Sequence, residues 1–253
     1  LGGDGLLVRG GADQMLNELD EGAIETALLA AATLDAEVVA LTMGPDGAAS
    51  AARKALQVGA ASAVHITDPA LAGSDAVVTA RVLAAAIRLV SDEDPDNPVA
   101  LVVAGMSALD GLGSVVPALV AAELDWPVLS FANSVELSAA PAQITVTRET
   151  EHGSEQLRST LPAVVSVTDT IAQLRVPSFA SMLAARKATL RVLTAADLGF
   201  EAAQVGLAGS RATIVASAPR PPRPAPQVVQ DSGQGAAALV DFLDQRGLLE
   251  AGV

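Results

Sequence analysis

A glycine-rich turn in the middle of the chain holds the residues best suited to binding chemistry. Residues 99–104 (VALVVA) form an almost uncharged apolar run, the pattern of a strand buried on both faces. The run continues through Gly105, Met106, Ser107, Ala108, Leu109, Asp110, Gly111, Leu112, Gly113 and Ser114 into an Ala/Val/Leu-rich helix. Glycines at 105, 111 and 113 let the backbone approach a partner closely. Ser114 and the first helix amides supply donors, and the positive end of the helix favours an anion. An α/β protein would hold a phosphate here, although the same pattern also makes a tight structural turn.

Catalytic side chains are scarce elsewhere. His65 and His152 are far apart and stand in no metal-ligand spacing, so a structural role for the first and a turn position for the second are the expectations. There is no Gly-x-Ser-x-Gly elbow, no Lys-Ser/Thr phosphate loop and no Tyr. The segment Arg9, Gly10, Gly11, Ala12, Asp13, Gln14 is similar to the Ser-Gly-Gly-x-Asp-Ser loop of ATP-cleaving pyrophosphatases. It lacks both serines and no apolar strand precedes it. If this chain does chemistry, its own side chains are poorly equipped for it.

Composition acts mainly by exclusion. The 253 residues are 51% hydrophobic but only 2% aromatic, so the core is built of Ala, Val, Leu and Ile, which suits close helix-on-sheet packing. A formal net charge of −14 excludes nucleic acid and anionic membrane surfaces as partners and favours proteins with positive patches. Without cysteine there are no disulfides, thiolate–metal sites or iron–sulfur ligands. No apolar run is long enough to span a membrane and no signal peptide is visible, so the expectation is a cytoplasmic chain.

The elements that must position the turn alternate in type. Helical spacing marks residues 17–34, with Asn17 or Asp20 as cap. A strand follows at 37–43, a helix at 47–58, a strand at 62–66 and a helix at 75–90 capped by Ser74 or Asp75, ending before a polar loop at 91–97. Strands alternating with helices of this length predict a parallel sheet with crossovers. After Trp126-Pro127 the texture changes. Runs at 128–137, 143–149, 155–159 and 163–168, with polar turns at 139–142 and 151–154, predict an antiparallel hairpin followed by a buried strand. A short helix is expected at 177–187, a strand at 212–217, extended chain at 219–226 and a terminal helix at 235–249.

These residues also match a family pattern. The pieces are Asn17-Glu18-Leu19-Asp20-Glu21 with Ala23-Ile24-Glu25 and Ala27-Leu28, then Met43-Gly44-Pro45 with Arg53-Lys54-Ala55-Leu56 and Gly59-Ala60. Next come Gly105, Ser107 and Asp110, Leu124-Asp125-Trp126-Pro127, Arg148-Glu149, Gly153 and Glu155. Leu161-Pro162-Ala163-Val164-Val165-Ser166-Val167 and Ala184-Ala185-Arg186-Lys187 complete the set. In this order and spacing, from about residue 13 onward, the chain resembles the β subunit of electron transfer flavoprotein.

The resemblance implies a Rossmann-like fold of the adenine nucleotide alpha hydrolase type: a mostly parallel sheet flanked by helices, an antiparallel hairpin and a C-terminal arm. It divides the chain into a nucleotide-binding domain at 1–217 and, at 218–253, an extended arm and helix that pack on the partner. It implies a noncatalytic electron-carrier subunit in a heterodimer whose α subunit holds most of the FAD, while the β subunit buries a structural AMP and docks flavin-dependent dehydrogenases. By position, Asn17, Leu19, Asp20, Met43 and Gly44 take the adenine and ribose side, and the phosphate lies on Asp110, Gly111, Leu112, Gly113, Ser114, Val115 and Val116 through Pro117. Glu155 meets the flavin-bearing domain, and Phe179, Met182 and Leu183 form the dehydrogenase anchor. Two departures stand out. Val116-Pro117 replaces the family's Thr or Ser then Gly, removing a hydroxyl and an amide donor. The chain also opens Leu1-Gly2-Gly3-Asp4-Gly5-Leu6 where the family has Met and a central strand, so roughly 20–30 residues ahead of Leu1 are expected in the natural protein. The alternatives are a free-standing adenine-nucleotide-binding regulatory domain of the universal-stress-protein type, and a bifurcating variant with a second FAD in place of AMP.

Overall fold

The computed structural model describes residues 2, 5–9, 15–223 and 225–249. Gly10–Gln14 of the pyrophosphatase-like segment, Leu1, Gly3 and Asp4 of the opening, and Pro224 of the Pro-rich stretch lie outside the described residues. The chain divides into two compact units, Leu1–Val215 and Ala216–Val253.

The first unit is α/β, with parallel strands flanked by helices as expected. In chain order it runs α1 (Glu18–Leu34), β1 (Val39–Met43), α2 (Ala49–Val58), β2 (Ser62–Ile66), α3 (Ala76–Glu93), β3 (Leu101–Gly105), α4 (Val116–Leu124) and β4 (Val128–Ala132). Then come β5 (Ser134–Ala139), β6 (Ala142–Thr150), β7 (Gly153–Thr160), β8 (Ala163–Val167), α5 (Phe179–Ala185), β9 (Leu190–Leu193) and α6 (Gly206–Gly209). The parallel strands form two three-stranded sheets, β1-β2-β9 and β3-β8-β4, where one was expected, and β5-β6-β7 is an antiparallel meander. The reason lies at β1 and β3. Each pairs with a single neighbour, and most of their residues stay half-exposed, whereas the central strand β8 is buried throughout.

Side-chain alternation explains how the layers meet. In β8, Ala163, Val165 and Val167 face Ala23 of α1 and Ile144 and Val146 of the meander, while Val164 faces α3 and α4. In β2, Val64 and Ile66 face Val78, Val82 and Ala86 of α3, and Ala63 faces Ala52, Ala55 and Leu56 of α2. Helix α3 is therefore buried on two sides: Val78, Val82 and Ala86 toward β2, and Ala80, Ala84 and Ile87 toward Val120, Ala121 and Leu124 of α4. The alanines at that second contact let two helices approach closely, which the aromatic-poor composition foreshadows. Asp75 caps α3 through Val78 N–H at 2.9 Å, as read. The helix runs on to Glu93, into the expected loop, and Ser91 Oγ accepts from Val99 N–H.

Three expectations fail locally. The run 128–137 breaks after Ala132: the register shifts between Leu129 and Ala132, and Phe131 adopts φ 61°, its amide donating to Ser166 Oγ. The first half thus pairs with β8 and the second with β6. Residues 212–217 form no strand. Asp75 Oδ2 accepts from the amides of Arg211 and Ala212, and the residues that follow pair with no strand, Val215 being 98% exposed. β-branched residues without a pairing partner do not make a strand. Conversely, β9 was not anticipated. Its four residues include Arg191, which pairs with Glu93 at 2.5 Å.

Among its described residues the second unit has no regular structure before helix α7 (Gly235–Gln245), which ends four residues short of the expected limit at 249. No residue of α7 is buried, and its Leu239 and Val240 are exposed.

Candidate functional site

The glycine-rich turn leaves the carboxyl end of β3, where open α/β sheets place their ligands. Gly105 is required by close packing. A Cβ there would lie 2.6 Å from the carbonyl oxygen of Leu19 and 2.8 Å from Asp20 Oδ1. The close partner is thus the start of α1, and the contact is bonded: Gly105 N–H donates to Asp20 Oδ1 at 2.8 Å.

Asn17 extends the same contact. Its Nδ2 donates to the Ser107 carbonyl at 2.9 Å and to Asp20 Oδ2 at 2.8 Å, and its Oδ1 accepts from Leu109 N–H at 3.3 Å. Although Asn17 stands at the N-cap, its side chain makes no capping bond, because the loop after β3 engages it instead. Asn17, Leu19 and Asp20 are therefore brought together with residues 105–109. In this arrangement the polar atoms of Asn17 and Asp20 fix the loop.

Beyond that clamp the turn is exposed from Ala108 to Val115. Gly111 and Leu112 donate to the Ala108 carbonyl, but among the described residues the amides of Gly113, Ser114, Val115 and Val116 meet no acceptor. Leu112 and Ser114 adopt positive φ, 49° and 52°, while Gly111 and Gly113 do not, so neither backbone angle nor crowding within the chain calls for glycine at those two positions. A Cβ at Gly111 would meet nothing within 4 Å, and one at Gly113 only Val115 Cγ2 at 3.7 Å. Helix α4 begins on Val115 without a side-chain cap, and Pro117 sits in its first turn, where a missing amide hydrogen costs nothing. Asp110 is paired with Arg9 at 2.6 Å.

Sequence reasoning missed Ser107 as a site residue, although Gly105-x-Ser107 was in view. Its side-chain oxygen is buried, the residue is 9% exposed, and among the described residues that oxygen alone is a buried side-chain polar atom without a hydrogen-bond partner. Such orphans are rare and mark a missing partner. An orphan hydroxyl, four free amides and a helix N-terminus form a donor set for a phosphate or a nucleotide hydroxyl, so the residues fit a nucleotide.

Met43 and Gly44 end β1 at the carboxyl edge of the other parallel sheet. The Gly44 carbonyl accepts from His65 Nε2 at 3.2 Å, which gives that buried histidine the structural role foreseen for it. His152 is exposed in the β6–β7 turn, also as read. Glu155 lies on β7 directly opposite Arg148, and the two carry an ion pair at 2.7 Å. Among the described residues no hydrogen bond or ion pair joins Glu155 to the loop after β3. Phe179, Met182 and Leu183 are exposed on α5, by 81%, 43% and 48%, so none is a core pin.

Residues 4–198 match the family model described as electron transfer flavoprotein domain. The electron transfer flavoprotein subunit beta of Mycobacterium bovis is 40% identical over 246 residues, covering 95% of this chain and 90% of its own. The chain belongs to the electron transfer flavoprotein family, as a β subunit. The subunit beta of Megasphaera elsdenii is 28% identical over 93% of this chain and 87% of its own. Protein FixA of Bradyrhizobium diazoefficiens is 34% identical over 94% of this chain and 84% of its own. Among the described residues of this electron transfer flavoprotein β subunit, no helix is long and apolar enough to cross a membrane, and no cluster of His, Asp or Glu could hold a metal ion.

Proposed function

We propose that this chain is the noncatalytic β subunit of a heterodimeric electron carrier, holding AMP as a structural ligand and supporting an FAD carried mainly by the α subunit. The observation that carries the reading is one loop, braced by Asn17 and Asp20, that holds both the orphan Ser107 hydroxyl and the free amides of Gly113, Ser114, Val115 and Val116. In this reading the AMP phosphate takes the amides, Ser114 and the α4 N-terminus, and the Met43-Gly44 end of β1 lies on the adenine and ribose side. Both carboxylates at the site are already engaged, Asp20 by Gly105 and Asn17 and Asp110 by Arg9, which supports a structural role for the nucleotide. The flavin, when bound, supplies the electron-transfer chemistry. The chain's own part is to orient its partner, with Glu155 on β7 meeting the flavin-bearing domain and α5 offering Phe179, Met182 and Leu183 to flavin-dependent dehydrogenases.

The test is substitution at a cradle position with open space and no strain. Gly113→Trp in the coexpressed heterodimer would fill the phosphate position, so AMP content should fall to background and the yield of assembled heterodimer should drop. Full AMP content in that variant would refute the placement.

A further inference from the structure

Helix α5 has seven residues, none of them buried, and a helix of that length does not hold its shape unaided. Its direction is therefore set by what grips its two ends. At the C-terminal end, Ala185 and Ala188 pack against Ala52, Ala55 and Leu56 beside α2. At the N-terminal end, Ser178 Oγ caps the Ser181 amide at 3.0 Å, and Pro177 restricts the backbone just before it.

Two residues upstream of Pro177, Arg175 makes three hydrogen bonds to one carboxylate on α1. Its Nε donates to Glu25 Oε2 at 2.8 Å, a terminal nitrogen donates to Oε1 at 2.7 Å, and its backbone amide donates to Oε2 at 3.1 Å. The Glu25 side chain is 11% exposed. Arg175 hydrogen bonds, opposed by burial, hold its carboxyl below the usual carboxylate range and so keep it charged. The approach to this pair is also fixed. Ile171 Cγ2 lies 2.8 Å from where a Cβ on Gly22 would stand, so only glycine lets the segment lie against α1 there. A half-buried pair of this kind adds little net stability but defines an angle, because the guanidinium fork donates to a carboxylate in one plane.

We propose that the Glu25–Arg175 pair is the clamp that orients α5, making Glu25 a positioning residue for docking a partner whose apolar pocket receives Phe179, Met182 and Leu183. The inference rests on the docking role proposed above. An anchor held in one orientation has already met the ordering cost that a swinging helix would meet on binding.

The chain has no cysteine, so Ala180→Cys places a single spin label on the exposed side of α5 in the full chain. Glu25→Gln and Arg175→Gln should each make the label more mobile, and the two together no more so than either alone. In the heterodimer the same substitutions should raise the apparent KM for the carrier in a dehydrogenase assay about three- to tenfold, the ordering cost of a few side chains, with kcat and flavin content unchanged. On a Phe179→Ala background they should add nothing. Where Glu25→Gln fails to fold, Arg175→Gln carries the test, since its guanidinium is 44% exposed. An unmoved label overturns the clamp. A freed label with unchanged KM, beside a Phe179→Ala that does raise KM, overturns its role in docking. Should Phe179→Ala leave KM unchanged, the docking reading itself falls, and the positioning role with it.

Discussion

Ser107 is the residue whose environment departs furthest from ordinary burial. A hydroxyl out of water without a partner costs about 1–3 kcal/mol, which a ligand acceptor or donor would recover. This gives opposite signs in the two states. Ser107→Ala should leave the melting temperature of the nucleotide-free chain unchanged or slightly raised. The same substitution should weaken nucleotide retention in the heterodimer by about 1 kcal/mol, roughly fivefold in affinity, measured by nucleotide release on dilution. A drop in nucleotide-free stability with retention unaffected would make Ser107 an ordinary core residue. The sequence already contained this serine between Gly105 and Asp110, but burial of one oxygen depends on how α1 closes over the loop. That closure comes from Asn17 and Asp20, about 90 residues away in sequence. Their type and place before a helix marked Asn17 and Asp20 only as caps, and it was the family resemblance that put them at the site. That their polar atoms brace the loop depends on a tertiary contact that no local pattern encodes.

At the scale of elements, legibility followed the strength of the hydrophobic pattern. Strand β8 and helix α3 read clearly because both are apolar on two sides, and the structure buries each between two layers. The four-residue β9 was invisible because its period is too short to register and Arg191 interrupts it. Residues 212–217 had strand-like composition, but a strand is made by pairing, and these residues pair with none. The α1–Arg175 connection yields a pH prediction at this scale. Glu25 is held below its ordinary value of about 4.3, so its contribution to stability is complete above that value and is lost as pH falls through the lower folded-state value. The wild-type chain should therefore lose thermal stability relative to Glu25→Gln as pH drops below about 4, the gap between the two being widest near neutrality. A gap independent of pH would mean that the carboxylate's charge is not what holds Arg175.

At the scale of the molecule, −14 net charges and two compact units frame the assembly. Within the second unit, α7 buries none of its residues and exposes Leu239 and Val240, and the stretch before it is stiffened by proline. Fixing such a segment on a partner costs little entropy. Truncation after Ser217 should leave a folded first unit that no longer copurifies with the α subunit, and retention at wild-type affinity would place the interface elsewhere. The central claim, a β subunit with a structural AMP beside a flavin carried by its partner, is tested most directly by nucleotide stoichiometry. The chain would be coexpressed with its α subunit, the heterodimer purified, and its nucleotides released by acid and separated by chromatography. The account predicts one AMP and one FAD per heterodimer. Two FAD and no AMP, or FAD with no second nucleotide at all, would contradict it.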